Sequence, residues 1–290
     1  MSKLFTLMAL VIFCTTAKAQ DDSTKKDFNQ IDTIRVGNMI IIKDKSKTDN
    51  DGRNTHFTMG RNRKKITSNV STNWGIVDLG FSNYDDQTNY GSAGSYLFNR
   101  PGTTALGEGD FKLRTGKSIN VNIWFFMQRL NVIKHYVNLK YGLGLELNNY
   151  RYKSSISYLE QNPFVASQAA NPVIFRDSIK FSKNKLAADY LTAPFMLNLC
   201  TNPAYENKGL SLSVGVSAGY LYSQRNKQIS DERGKKKNKG DYDLERFKLS
   251  YIAELGLGPV RLYGSYSPQS MYKNGLDMRP YTLGVRLSNW

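Results

Sequence analysis

Residues 137–148 read VNLKYGLGLELN, with a large apolar side chain at every odd position and a polar residue or glycine at every even one. Successive side chains of a β-strand point to opposite faces, so this run predicts a strand with one apolar face and one small, polar face. The same character recurs along the chain, and the predicted strands are 69–81, 118–130, 136–152, 186–200, 209–223, 246–257, 260–267 and 280–289. The pattern therefore predicts an all-β fold.

The N-terminus has the organisation of an export signal. Lys3 precedes an apolar stretch over 4–14, and Ala17, Lys18 and Ala19 form a small-x-small cleavage pattern, so we predict a cleaved signal peptide over residues 1–19. After residue 19 the sequence contains no apolar run of about eighteen residues, which excludes a transmembrane helix. Only Cys200 remains in the mature chain, so an internal disulfide is excluded as well.

The chain is strongly basic. Its formal net charge of +16 falls to +14 (16 − 2) when the signal peptide with its two lysines is removed. Such a balance predicts an anionic partner. For an exported chain we expect outer-membrane phospholipid and lipopolysaccharide, and no nucleic acid.

The two faces of the predicted strands decide between a soluble barrel and a membrane barrel. The polar face is mostly Gly, Ser, Asn and Thr, which suits the crowded inside of a narrow barrel, whereas a soluble barrel would carry many long charged side chains there. The links alternate between long (82–117, 153–185, 224–245) and short, as in outer-membrane barrels. We therefore predict an eight-stranded antiparallel transmembrane β-barrel over 69–290, located in the outer membrane.

Two local features refine this topology. Aromatic residues near the strand ends with long links predict an extracellular aromatic girdle, and these are Tyr220, Tyr222, Phe247, Tyr266 and Tyr281. Pro194 lies inside the fourth predicted strand, where it removes a ladder hydrogen bond and predicts a bulge.

Residues 20–68 form a periplasmic extension in this topology. Two short strands around Gly37 and Asn38 predict a β-hairpin, since Gly-Asn favours primed turns. An isolated hairpin is marginal in water, so residues 31–43 either pack beneath the barrel or bind an envelope protein complex. Residues 43–65 are polar and basic and predict a linker near anionic headgroups.

Several charged residues occupy strand positions whose side chains are predicted to point into the barrel. Because an eight-stranded barrel is just wide enough to be filled by side chains, we predict that they form a buried salt-bridge network that plugs the lumen. The network comprises Asp78, Lys140, Glu146, Lys248, Glu254, Arg261 and Arg286. The alternative is a paired-carboxylate catalytic site using Glu146 and Glu254.

Other chemical signatures are weak. The two histidines, His56 and His135, have no argued serine partner, and residues 49–60 match a calcium loop only at its start. We therefore expect no metal, no cofactor and no enzymatic activity. A basic segment is either a solvated loop or a contact for lipopolysaccharide phosphates, and its cations are Arg225, Lys227, Arg233, Lys235, Lys236, Lys237 and Lys239.

Four stretches carry a resemblance to a known family. Residues 71–81 (STNWGIVDLGF), 126–135 (FMQRLNVIKH), 137–147 and 258–264 (GPVRLYG) resemble the outer-membrane β-barrel domain proteins of Bacteroidota, which include PorT-like and OmpA-type barrels. The resemblance implies a membrane-embedded barrel with a short periplasmic N-terminal segment. It leaves two roles open: envelope structure or surface interaction through long extracellular loops, and an accessory subunit of a protein-secretion or barrel-assembly complex.

Overall fold

The computed structural model describes residues 68–203, 209–258 and 260–287, together with the backbone of three short strands before them. The chain divides into two units, Met1–Ile66 and Thr67–Trp290. In the first unit, β1 (Ile31–Val36) pairs antiparallel with β2 (Met39–Asp44), which also pairs with β3 (Phe57–Thr58). The predicted signal peptide, the turn at 37–38 and most of the basic linker lie outside the described residues.

The second unit holds the remaining strands in chain order. They are β4 (Val70–Asp86), β5 (Leu97–Phe98), β6 (Ile119–Ile133), β7 (Val137–Arg151), β8 (Ile156–Leu159), β9 (Val173–Arg176), β10 (Lys183–Cys200), β11 (Leu210–Ser230), β12 (Gly234–Lys239), β13 (Phe247–Leu257), β14 (Val260–Tyr266) and β15 (Met278–Leu287). Within the described residues, no helix is both long and apolar enough to cross a bilayer.

One large antiparallel sheet holds nine of these strands, and eight of them, all but β12, form a cycle of pairings. Each of the eight pairs with two others, and the order β4-β6-β7-β10-β11-β13-β14-β15 returns to β4. We call this cycle of pairings the ring. The predicted all-β fold with a large antiparallel sheet is thus confirmed, and each of the eight predicted strands overlaps one strand of the ring.

The two faces of the ring reverse the usual arrangement of a water-soluble protein. On β11, Leu210 is 55% exposed and Val214 46%, whereas Ser213 between them is fully buried. The same inversion holds on β6, where Ile119 is exposed and Asn120 buried. On β11 the exposed apolar positions from Leu210 to Tyr220 span ten residue steps, or about 25 Å along the ring axis at a strand tilt of roughly 40°. That height matches the hydrocarbon band of an outer-membrane barrel.

The connections differ at the two ends of the ring. At one end they are short, at 134–136, 201–209 and 258–259, and at the other they are mostly longer, at 87–118, 152–182, 231–246 and 267–277. The longer ones carry structure of their own. Strand β9 pairs with both β5 and β8 in a small separate sheet, which the sequence pattern did not predict.

Two local predictions were wrong. The link expected at 224–245 is largely strand, because β11 continues to Ser230 and pairs with β12 as a hairpin. Pro194 causes no bulge. The ladder between β10 and β7 omits pairs at Ala193 and Pro194 and resumes in the same register, as expected where proline lacks an N–H donor.

Candidate functional site

The seven charged residues predicted on the inward parity are all buried inside the ring, and the structure brings them together. Arg286 on β15 binds Asp78 on β4 through two hydrogen bonds, Nε to Oδ1 at 2.7 Å and Nη2 to Oδ2 at 2.8 Å. Its third nitrogen, Nη1, lies 2.5 Å from Oε2 of Glu254. One guanidinium group therefore joins the first and last strands of the ring to β13.

Two further ion pairs cross the ring. Lys140 Nζ on β7 lies 2.9 Å from Glu254 Oε1 on β13, and Lys248 on β13 binds Glu146 on β7. Strands β7 and β13 are three places apart in the strand order, so these side chains meet across the interior. Arg261 completes the group, with Nη1 at 3.4 Å from Glu254 Oε1.

Amide side chains fill the space between the charges. Asn120 Nδ2 donates to Asn148 Oδ1 at 2.8 Å, and Asn148 in turn donates to Glu146 Oε1 at 2.9 Å. The hydroxyl of Tyr263 donates to Asn120 from a strand three places away. Trp124 Nε1 donates to Asp78 Oδ2 at 2.7 Å. The seven predicted residues, four cations and three carboxylates with a summed formal charge of +1 (4 − 3), are thus joined in one hydrogen-bonded network.

The paired-carboxylate alternative finds no support in this geometry. Glu146 and Glu254 each bind their own lysine, and Glu254 also binds two arginines, so neither carboxylate is arranged to share a proton with the other. In the described part of the chain, no three His, Cys, Asp or Glu side chains are grouped closely enough to hold a metal ion. His135 lies in the short turn between β6 and β7.

A tyrosine-rich cluster occupies the end of the ring with the longer connections, and we call it the mouth cluster. The hydroxyl of Tyr158 lies 2.6 Å from that of Tyr152 and 2.9 Å from that of Tyr272. Tyr96 donates to the backbone oxygen of Tyr242 at 2.5 Å. These residues come from all four connections at this end, so the connections share one buried core. The sequence pattern did not predict the cluster, because its tyrosines lie mostly outside alternating segments.

Burial changes the acidity of the mouth cluster. Loss of hydration disfavours the charged phenolate and raises the pKa of Tyr152 and of Tyr242 to about 12 in each case. It also raises the pKa of Tyr158 and of Tyr272 well above the usual value. These phenols therefore stay neutral hydrogen-bonding groups throughout the physiological range.

The predicted basic segment divides over two faces of the hairpin formed by β11 and β12. Arg225 binds Asp189 at 2.5 Å and Arg233, in the turn, binds Asp177 at 2.9 Å, so two of the seven cations have acidic partners elsewhere. Lys227 pairs with Lys237 in the ladder, whereas Lys236 is paired with the buried Gln228 on the opposite face. Lys235 and Lys239 are exposed on the same face as Lys237.

The structure adds three basic residues that the sequence prediction missed. Arg151 and Lys185 are register partners on β7 and β10, and Lys185 is also the partner of Lys227. Lys183 lies two residues before Lys185 on β10, further from the belt of exposed apolar residues that begins at Leu191 on this strand. Position 183 falls in a predicted link, so nothing in the sequence assigned it to this face.

The aromatic residues predicted as a girdle are all exposed on the outward face of the ring, namely Tyr220, Tyr222, Phe247, Tyr266 and Tyr281. Tyr220 also packs against Phe247, with ring centroids 5.3 Å apart. A continuous aromatic and aliphatic surface thus surrounds the polar interior.

Comparison with known proteins identifies the family. No curated protein sequence matches the chain. Among solved structures, the crystal structure of Ail, the attachment invasion locus protein of Yersinia pestis, aligns with 74% of this chain and 98% of that one, at 12% sequence identity and a TM-score of 0.28. Residues 54–268, which are 215 of the 290 residues, match the model of the outer membrane protein beta-barrel domain, and the chain belongs to this family of outer-membrane proteins.

Proposed function

We propose that the protein is a non-enzymatic outer-membrane barrel with a plugged lumen, which serves envelope structure or surface interaction. The observation that carries the proposal is the double ion pair between β7 and β13, Lys140 with Glu254 and Lys248 with Glu146. Side chains that meet across a ring of eight strands occupy the space that a channel would need.

The mouth cluster also supports a plugged lumen, at the end of the ring with the longer connections. Tyr158 and Leu244 are buried, and they come from two different long connections. We assign the short turns to the periplasmic side. The hydrogen-bonded mouth cluster closes the opposite end of the ring. The loop surface above it is then a folded platform for surface contacts.

Conductance tests the plug. The mature chain is refolded in detergent and reconstituted into planar lipid bilayers, with a water-filled porin reconstituted in the same way as a positive control. We expect insertion without steady single-channel conductance. A stable ohmic channel from the wild-type chain would refute the plugged lumen while leaving the barrel fold intact.

A second role is proposed for the N-terminal unit. The pairing of β1 with β2 in a unit separate from the barrel supports docking of residues 31–43 onto an envelope complex, of a secretion (PorT-like) or barrel-assembly kind. Deleting residues 21–68 tests it. Loss of a cross-linked envelope partner, with normal insertion of the barrel, is the expected result. Unchanged cross-linking would refute the role.

A further inference from the structure

A row of four basic side chains crosses four neighbouring strands on the outward face of the ring. The ladder pairs Arg151 on β7 with Lys185 on β10, Lys185 with Lys227 on β11, and Lys227 with Lys237 on β12. Directly paired residues present their side chains on the same face. Adjacent strands are about 4.8 Å apart, so the row, which we call the cation row, is about 14 Å wide.

The cation row carries a high positive charge with little compensation. Like charges placed directly opposite each other in a sheet are destabilising. Asp189, an acidic residue on this face, is already bound by Arg225 at 2.5 Å. Over the described residues, no carboxylate lies within salt-bridge distance of Lys185, Lys227 or Lys237. An anion bound to the row would relieve this repulsion.

A β-bulge creates the row. Asp189 pairs with Ser223 and Tyr190 with Leu221, so Tyr222 is an extra residue in β11. The extra residue reverses the parity of the strand beyond it. Without it, Arg225 and Lys227 would point into the interior. The bulge moves them outward and leaves Tyr222 half exposed at the edge of the apolar belt.

The height of the row above the apolar belt fits a lipid headgroup. Lys185 lies six residues beyond the exposed Leu191 on the same strand, about 15 Å along the axis at a tilt of roughly 40°. Arg225 and Lys239 are paired with each other and form a second row. This row lies between the cation row and Leu191, since Arg225 pairs with Ala187, two residues after Lys185 on β10. Long lysine side chains reach several ångströms toward the membrane while their ammonium groups stay at the polar level.

We propose that the cation row binds the phosphates of a multiply phosphorylated glycolipid of the outer leaflet, whose acyl chains lie along the apolar belt at Leu191 and Tyr220. The inference rests on the membrane placement proposed above. Several cations spread over about 14 Å suit a headgroup with separated phosphates better than the single phosphate of a phospholipid.

Binding to defined lipids tests the site. The probes are diphosphorylated lipid A, its dephosphorylated form, phosphatidylglycerol and inorganic phosphate, added to the mature chain in neutral detergent. In the triple variant K185Q/K227Q/K237Q we expect the affinity for diphosphorylated lipid A to fall about 100-fold, since each lysine near an anionic surface contributes roughly a factor of five. The triple variant K185R/K227R/K237R keeps the charges and is expected to retain binding.

A charge-matched control distinguishes specific binding at the cation row from general electrostatic attraction of the anionic lipid to a basic protein. The variant K117Q/K236Q/K273Q loses the same three charges from exposed positions at the same end, and Lys236 lies on β12 beside the row but on its other face. Its affinity is expected to change by no more than about threefold, because these three lysines do not lie in one row of paired strands and separate exposed charges are screened. Equal losses in both glutamine triples, equal binding of dephosphorylated lipid A, or full competition by inorganic phosphate would each overturn the proposal.

Insertion is measured separately, so that failure of the site is distinguishable from failure of the barrel. All variants are refolded into phosphatidylcholine vesicles that contain no glycolipid, and heat-modifiable gel mobility reports the folded fraction. Normal insertion with unchanged lipid A affinity in K185Q/K227Q/K237Q would refute the site alone. Failure of the wild-type chain to insert would refute the membrane placement on which the site rests.

Discussion

Lys140 Nζ and Glu254 Oε1 lie 2.9 Å apart although their strands are three places apart in the ring. Both side chains are almost fully buried. Glu254 also binds Arg261 and Arg286, so a single carboxylate is the common partner of three cations. The interior is therefore organised around this residue, and its removal leaves more than one charge without compensation.

Glu254→Gln is expected to destabilise the folded barrel strongly. Removing one member of a buried ionic group leaves uncompensated charge in a medium of low dielectric constant, and the usual loss is about 3–5 kcal/mol in the free energy of unfolding. Urea-induced unfolding in detergent micelles measures it. Glu108→Gln is the control, because Glu108 is exposed and its pair with Lys112 at 3.4 Å is expected to contribute less than about 1 kcal/mol. Equal effects of the two substitutions would contradict the network.

Tyr158→Phe is expected to loosen the mouth cluster without affecting the ring. The substitution removes a hydroxyl that contacts both Tyr152 and Tyr272, and leaves buried hydroxyl groups short of a partner, at a cost of about 1–3 kcal/mol. Limited proteolysis should then cut the connections 152–182 and 267–277 faster, while the strands of the ring stay protected. Tyr220→Phe, on the exposed outer face, is the matched control. Unchanged cleavage rates in Y158F would show that the cluster does not hold these connections.

The strands of the ring could be predicted because the period-two pattern is local. Residues 137–148 show both faces without reference to any neighbour, and the observed strand β7 differs from the predicted one by a single residue at each end. The same parity assigned Glu146 and Glu254 to the inside. Which cation each of them binds could not be predicted, since that depends on strands brought together only when the ring forms.

The basic surface was predicted only in part, for two reasons: an extra residue in β11 and the pairing of strands that are distant in sequence. Tyr222 shifts the parity of β11, so the alternation seen before it does not continue into Arg225 and Lys227. No local residue type signals a bulge of this kind. Lys183 and Arg151 join the surface through strand pairing, which the sequence pattern does not encode.

Gly80→Ala is expected to disturb the packing of β4 against β15. A Cβ atom at position 80 would lie 2.5 Å from the backbone oxygen of Leu283 and 2.6 Å from the hydroxyl of Tyr263, closer than side-chain carbons come to such atoms. Overpacking of this size costs about 1–3 kcal/mol. The folded fraction after refolding, read from heat-modifiable gel mobility, should fall. Gly116→Ala, at a position with open space around it, should leave that fraction unchanged. A normal folded fraction in G80A would mean that the two strands have room to separate.

Alkaline pH is expected to open the mouth cluster before the ring. Burial raises the pKa of Tyr152 and of Tyr242 to about 12 in the folded chain, above the value near 10 of an exposed phenol. The neutral phenols therefore contribute stability that is fully present below about pH 10 and is lost as pH rises toward 12, because the opened state releases its protons first. Phenolate absorbance near 295 nm, followed with pH, should show a late-titrating class of tyrosines that shrinks in the variant Y152F/Y242F. A single titration completed near pH 10, with the connections still resistant to protease, would show that these phenols are not held in a dry core.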